Sequence, residues 1–234
     1  MTTRIERLVT TGQFALDGGT WEVENNVWIV GDEREVIVID AAHDAEAIAE
    51  AVADRRLTAI VCTHAHNDHI DAAPALADLT GATIWLHPDD LPLWKLTHPH
   101  REPDRHLVDG QVLETAGADL TVLHTPGHSF GAVCLYDPGL GIVFTGDTLF
   151  KGGPGATGRS YSDFPTIIES IRERLLTLPR TPRSSPATGS PPPSAPRHPI
   201  WRSGSSAGTS PDPGGTGQDY SRAPIRRPVL GSPP

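Results

Sequence analysis

Two hydrophobic rhythms alternate along the chain. "WEVENNVWIV" (21–30) and "EVIVID" (35–40) are rich in Val, Ile and Trp, and the "GDE" between them predicts a hairpin turn. "DAEAIAEAVADRR" (44–56) sets Ile48, Ala51 and Val52 at helical spacing behind a capping Asp44, which predicts a helix. "LTAIVCT" (57–63) is apolar without a break, the pattern of a strand covered on both faces. "DAAPALADLTG" (71–81) predicts a short helix closed by Gly81, and "ATIWLH" (82–87) a returning strand. Residues 88–105, rich in Pro and His, read as an irregular loop.

Beyond that loop the period returns to two. "HLVDGQVLETAGADLTVLHT" (106–125) predicts a meander turned by Asp-Gly chemistry. "AVCLYD" (132–137) and "GIVFTGD" (141–147) form a strand pair joined by "PGL". "SDFPTIIESIRERLLTL" (162–178) has a capping serine and Ile167, Ile168, Ile171, Leu175 and Leu178 at helical spacing. Two β-rich halves, each followed by helices, pack most compactly as two sheets with helices outside.

Composition changes the picture after Leu178. Fourteen of the 23 prolines fall within 179–234, with Ser, Gly and Arg filling most of the rest. Such a segment cannot bury a core and is expected to lack order, so the chain divides into a domain at 1–178 and a tail at 179–234. Charge divides there too. The domain holds 12 Lys/Arg against 27 Asp/Glu, the tail 7 against 2. An acidic body excludes nucleic acid as the expected partner, since binding phosphates takes clustered Lys and Arg. No 18-residue apolar stretch and no signal-peptide core occur, so no membrane partner is expected. Cys62 and Cys134 sit inside apolar strands and read as buried free thiols, which with the missing signal peptide suggests the cytoplasm.

The candidate chemistry sits at strand ends. "THAHNDH" puts His64, His66, Asp68 and His69 within six positions just past a buried strand. On extended backbone, residues two apart point the same way, so the imidazoles of His64 and His66 can face one ion. Asp68 and His69 lie at the first turn of a helix and can face a second point nearby. Imidazole with carboxylate suits zinc, iron or manganese rather than calcium or magnesium. "LHTPGHSFG" presents His128 on a Pro-Gly turn, and "VFTGDTLF" carries Asp147 behind a glycine, each after its own strand. His43 and His87 also follow strands and read as loop or supporting residues, while His98, His100 and His106 read as solvated.

H-A-H-N-D-H at 64–69, T-P-G-H at 125–128 and T-G-D at 145–147 resemble, in order and spacing, the metallo-β-lactamase fold hydrolases. "GGPGATGRSYSDFPTIIESI" (152–171) is similar to the small glyoxalase II-like (hydroxyacylglutathione hydrolase-like) branch. The resemblance implies an α/β fold, a four-layer αββα sandwich whose C-terminal part is missing or disordered here. It implies two divalent metals, zinc first, with iron or manganese as alternatives. His64, His66 and His128 would hold one; Asp68, His69 and a C-terminal histidine the other; Asp147 would bridge them, and Asp40 would orient an imidazole from behind. Its chemistry is attack by metal-activated hydroxide, oriented by Asp68, on a small-molecule thioester or related acyl substrate. Arg159 is the candidate for an acidic substrate group. Two other readings are a persulfide dioxygenase with one iron and a catalytically impaired metal-binding chain, which metal content and oxygen uptake would separate.

The family's last ligand lies in a Gly-His-Gly turn, and the only histidine of 179–234 is His198, in "APRHPIW". Taking each codon's third base with the next codon's first two, 180–206 can spell Asp-Thr-Ala-Val-Val, then Gly-His-Gly across Pro186–Ser190. The tail is therefore expected to be out-of-frame translation beginning near Leu178–Arg180, with the second metal site weakened.

Overall fold

The computed structural model describes residues 3–179 and 200–203. The chain opens with a long hairpin, β1 (Arg4–Leu16) and β2 (Gly19–Gly31), turned at Asp17-Gly18 where both residues have positive φ. β3 (Glu35–Ile39), α1 (Ala45–Val52), β4 (Arg56–Val61), α2 (Asn67–Ile70), α3 (Ala73–Thr80) and β5 (Thr83–Leu86) follow. A 3-10 turn at Pro88–Asp90 leads into α4 (Leu91–Thr97) and the short β6 (Arg105–His106). The second half holds β7 (Val112–Thr115), β8 (Ala118–His124), β9 (Val133–Asp137), β10 (Ile142–Gly146), the small pair β11 (Leu149–Phe150) and β12 (Gly153–Pro154), and α5 (Phe164–Ser170). One π-helical turn, Ile171–Leu175, continues α5. β13 (Ile200–Ser203) runs parallel beside β10.

β1 to β6 form one sheet in chain order, antiparallel through β3 and parallel from there on. The second sheet runs β13-β10-β9-β8-β7. Strand alternation builds the layers. In β3, Ile37 and Ile39 face the second sheet, where they meet Leu120, Val122, Leu135 and Phe144, while Val36 and Val38 face the helices. Ile48, Leu76 and Trp94 from α1, α3 and α4 cover that outer face. Ile167, Ile171 and Leu175 cover Cys134 and Val143 of the second sheet. The result is the expected αββα sandwich, and both cysteines are buried and free.

Several local expectations are corrected. α1 stops at Val52 rather than reaching Arg56, because Ala53 turns left-handed (φ 56°) and Arg55 folds back to donate to the carbonyls of Ala51 and Val52. Residues 88–105 are not irregular throughout: Pro88 and Pro92 stand in the first turns of the 3-10 turn and α4, where a missing N–H costs nothing. The 116–117 turn, with Gly117 at φ 80°, joins β7 to β8, and Asp109-Gly110 precedes β7. α5 is capped by Asp163, whose carboxylate accepts from Thr166 N, rather than by Ser162. His98 is tied to Ile70 O at 2.9 Å and packs on Trp94. The shifted-frame histidine, like nearly all of the tail, lies outside the described residues. No helix among the described residues is long and apolar enough to cross a membrane.

Candidate metal centre

The ends of β3, β4, β5, β8 and β10 meet at one edge of the sandwich, and the loops leaving them bring His64, His66, Asp68, His69, His128 and Asp147 together. The ligand atoms of His64, His66 and His128 lie within 4.8 Å of one another, and so do those of His64, His69 and Asp147. Asp147 stands between the groups, with Oδ1 3.5 Å from His69 Nε2 and Oδ2 3.7 Å from His128 Nε2. His66 Nδ1 lies 3.0 Å from His128 Nε2.

Supporting hydrogen bonds decide which ring nitrogens are free. His69 Nδ1 donates to Asp40 Oδ2 at 3.0 Å, and His128 Nδ1 to the carbonyl of Ala156 at 2.8 Å. Thr63 Oγ1 donates to Asp40 Oδ2 (2.8 Å), so it can accept from His64 Nδ1 at 3.2 Å. In His64 and His128 this leaves Nε2 with the lone pair that ligation requires, while His69 Nε2 would have to give up the proton its carboxylate neighbours favour before it could ligate. Asp40 thus serves two imidazoles from a left-handed backbone (φ 58°) that few non-glycine residues adopt. Gly146, at φ 48°, leaves the room Thr63 needs: a Cβ there would overlap its hydroxyl.

His64 Nε2, His66 Nε2 and Asp68 Oδ1 are buried without any hydrogen-bond partner. Leaving such atoms unpaired is costly, and three in one pocket of histidine and aspartate fit a bound divalent cation. Electrostatics divide the two groups of ligands. Burial, then the neighbouring histidines, keeps His64 and His66 well below the ordinary imidazole range and therefore neutral. Burial also opposes charge on His69, but Asp147, Asp68 and Asp40 together raise it well above that range. Asp147 stays ionised despite its burial, held well down by His69, His128 and His66. Burial raises Asp68.

Three residues that the sequence reading passed over hold these groups. Asp90, in the 3-10 turn after β5, is 1% exposed. Its carboxylate accepts from Ala65 N (2.8 Å), Ser129 Oγ (2.7 Å) and Gly131 N (2.6 Å), joining the His64–His66 loop to the His128 loop. Its signal was its position, one more polar residue just past an apolar strand. Asn25, buried in β2, donates to Asp68 Oδ2 at 3.0 Å. Thr63 links Asp40 to the ring of His64. α5 braces the His128 loop: Asp163 N donates to Gly127 O and Ser170 Oγ to Pro126 O, both at 2.8 Å. A Cβ on Gly127 would overlap the backbone of Ile167.

Arg159 lies at the rim, its guanidinium 4.0 Å from the Trp21 ring centre and 5.6 Å from that of Phe14. Phe14 in turn meets His66 edge-on at 5.3 Å. Asn67 ties this hairpin tip down, donating to Gln13 O and accepting from Ala15 N. Among the described residues the Arg159 guanidinium forms no ion pair. His87 caps the 3-10 turn by accepting from Asp89 N, and its ring stacks on His124 at 4.1 Å and 12°. His87, Asp89 and His124 do cluster, but near-parallel rings aim their lone pairs side by side rather than at a common point.

The family model of the metallo-beta-lactamase superfamily matches residues 20–184. Hydroxyacylglutathione hydrolase GloC of Haemophilus influenzae is 32% identical over 170 residues, covering 66% of this chain and 80% of that protein. The crystal structure of TTHA1623 in a di-iron-bound form is 30% identical with a TM-score of 0.59, covering 68% of this chain and 84% of the other. That of the BLEG-1 B3 metallo-beta-lactamase is 26% identical with a TM-score of 0.62, covering 83% and 91%.

Proposed function

Because the chain belongs to the metallo-beta-lactamase superfamily, we propose that this metallo-hydrolase cleaves small thioesters that carry an acidic group. The carrying observation is Arg159, a cation stacked on Trp21 beside the metal-ligand cluster and in a contact salt bridge with no carboxylate of the described residues, Asp17 acting on it only at longer range. A guanidinium so held presents its N–H fork to a substrate carboxylate. The likeness to GloC, named a hydroxyacylglutathione hydrolase, supports the thioester as the bond broken.

His64, His66 and His128 would hold one ion and His69, Asp68 and Asp147 the other, with zinc, iron or manganese suited to these donors. Bound there, divalent ions supply a nucleophile from water at neutral pH and polarise the scissile carbonyl. The rest falls to side chains. Asp68 Oδ1, buried and without a partner, is the group that orients the attacking water. Phe14 and Trp21 wall one side of the mouth against bulk solvent. A thiolate departs without a proton donor, so cleavage of a thioester asks no general acid of the pocket.

The test is hydrolysis by the full chain, loaded with zinc or iron, of a hydroxyacylglutathione, a neutral acyl thioester and a β-lactam. Faster turnover of the acidic thioester is expected. A metal-loaded chain that leaves both thioesters intact, or that prefers the β-lactam, overturns the proposal.

A further inference from the structure

A line of hydrogen bonds behind Asp68 has no part in the chemistry above. Asp71, just past α2, accepts from the backbone N–H of His43 at 2.6 Å through Oδ1, and its Oδ2 lies 3.0 Å from His43 Nδ1. His43 Nε2 lies 3.1 Å from Asn25 Oδ1, and Asn25 Nδ2 donates to Asp68 Oδ2 at 3.0 Å. The same amide nitrogen stands 3.1 Å from His69 Nε2. The line is enclosed: Asn25 is fully buried and the His43 side chain is 4% exposed.

Two features show that His43 is held there against a cost. Its backbone is left-handed (φ 65°), a conformation that strains a residue with a β-carbon. β1 also crosses its ring so closely that a Cβ on Gly12 would overlap the imidazole. The order of donors then follows. The Asp68 carboxylate accepts, so the Asn25 NH2 must face it and the Asn25 oxygen must face His43. With His43 absent, nothing else described holds that oxygen, and the amide can swing about its contact with Asp68 instead of meeting it at one fixed angle.

We propose that His43, anchored by Asp71, is a positioning residue: it fixes the Asn25 amide and thereby sets the Asp68 carboxylate for the second cation. The inference rests on the metal-centre reading but not on the thioester. Its reach is selective, because Asn25 touches Asp68 and His69 but none of His64, His66 and His128.

The experiment titrates cobalt(II) into the metal-free full chain and follows the visible absorption of each equivalent, so no substrate is needed. Removing an outer partner of a ligand costs about 10–100-fold in metal affinity, and one relay further out the lower end applies. His43→Ala is therefore expected to weaken the second equivalent about tenfold and to leave the first unchanged. His43→Gln, whose amide N–H reaches Asn25, is expected to restore most of the loss, and Asp71→Asn to weaken the second equivalent at an unchanged melting temperature. Equal weakening of both equivalents, no change in either, or no recovery in a folded His43→Gln chain would each overturn the proposal. Thioester assays on the same variants stand apart: a chain that binds cobalt as expected but cleaves no thioester refutes the substrate and leaves His43 in place.

Discussion

Replacing Asp90 by alanine probes how the two histidine loops are held together. The substitution strands the backbone N–H groups of Ala65 and Gly131, both buried, while the Ser129 hydroxyl can rotate toward another acceptor. An unpaired buried donor costs about 1–3 kcal/mol, so two give roughly 2–6 kcal/mol. Some of this is returned, because burial pushes the Asp90 carboxyl up even against Ser129, Gly131 and Ala65; removing a poorly solvated acid is itself favourable. About 2–4 kcal/mol remains, or roughly 4–16 °C in melting temperature for a domain of this size. Asp90→Asn keeps one oxygen, which can still serve Ala65 and Ser129, but turns its NH2 against Gly131 N. It is expected to lose about half as much. Denaturant titration of both variants beside the parent measures the difference, and a cobalt titration shows whether His66 and His128 still converge. An Asp90→Ala chain within about 0.5 kcal/mol of the parent and with unchanged cobalt affinity would refute the bridge.

Three further outcomes are expected. Arg159→Ala should raise KM for an acidic thioester roughly 10- to 100-fold, the worth of a charge-assisted contact, and leave a neutral thioester unaffected; equal losses on both would place the arginine in loop structure alone. Acid should destabilise the chelator-treated chain through Asp17, Asp32 and Asp163. Hydrogen bonds from Ser160 to Asp17, from Arg34 and Glu35 N to Asp32, and from Thr166 to Asp163 hold all three below 3.8. A depressed carboxylate contributes stability above its unfolded pKa and loses it as pH falls through the folded value, so melting temperature should drop below about pH 4 and drop less in Asp32→Asn with Asp163→Asn. Finally, the coding bases across Pro186–Ser190 should spell Gly-His-Gly in the shifted frame. A chain translated in that frame should bind the second cobalt at least tenfold more tightly, and other bases there would end the idea.

What the sequence disclosed was what local pattern encodes. Gly81 ends α3 in a left-handed turn because no side chain obstructs it, and such a signal needs no tertiary partner. The loops bearing His64, His128 and Asp147 were legible because each follows an apolar strand. Asp90 was not, since "HPDD" beside two prolines carries the same letters as a surface turn; only the arrival of Ala65 and Gly131 makes it a buried acceptor. Asn25 was hidden for a similar reason. One polar residue in a strand says nothing of its neighbours until β2 is laid beside α2. The early end of α1 depends on Arg55 curling back, with Glu6 of β1 holding its guanidinium, a contact 49 positions away.

The bracing of the Pro126–His128 turn by α5 has a consequence for how the protein opens. Local openings of a single packed segment are a common form of partial unfolding, and departure of α5 would release Asp163 and Ser170 from the very turn that carries an imidazole. Amide protons around His128 should then exchange with solvent in step with those of Ile167 and Ile171, and both sets faster than amides in the β3–β4 ladder. Cargo retention on one side of the pocket is thereby yoked to the integrity of the last helix described.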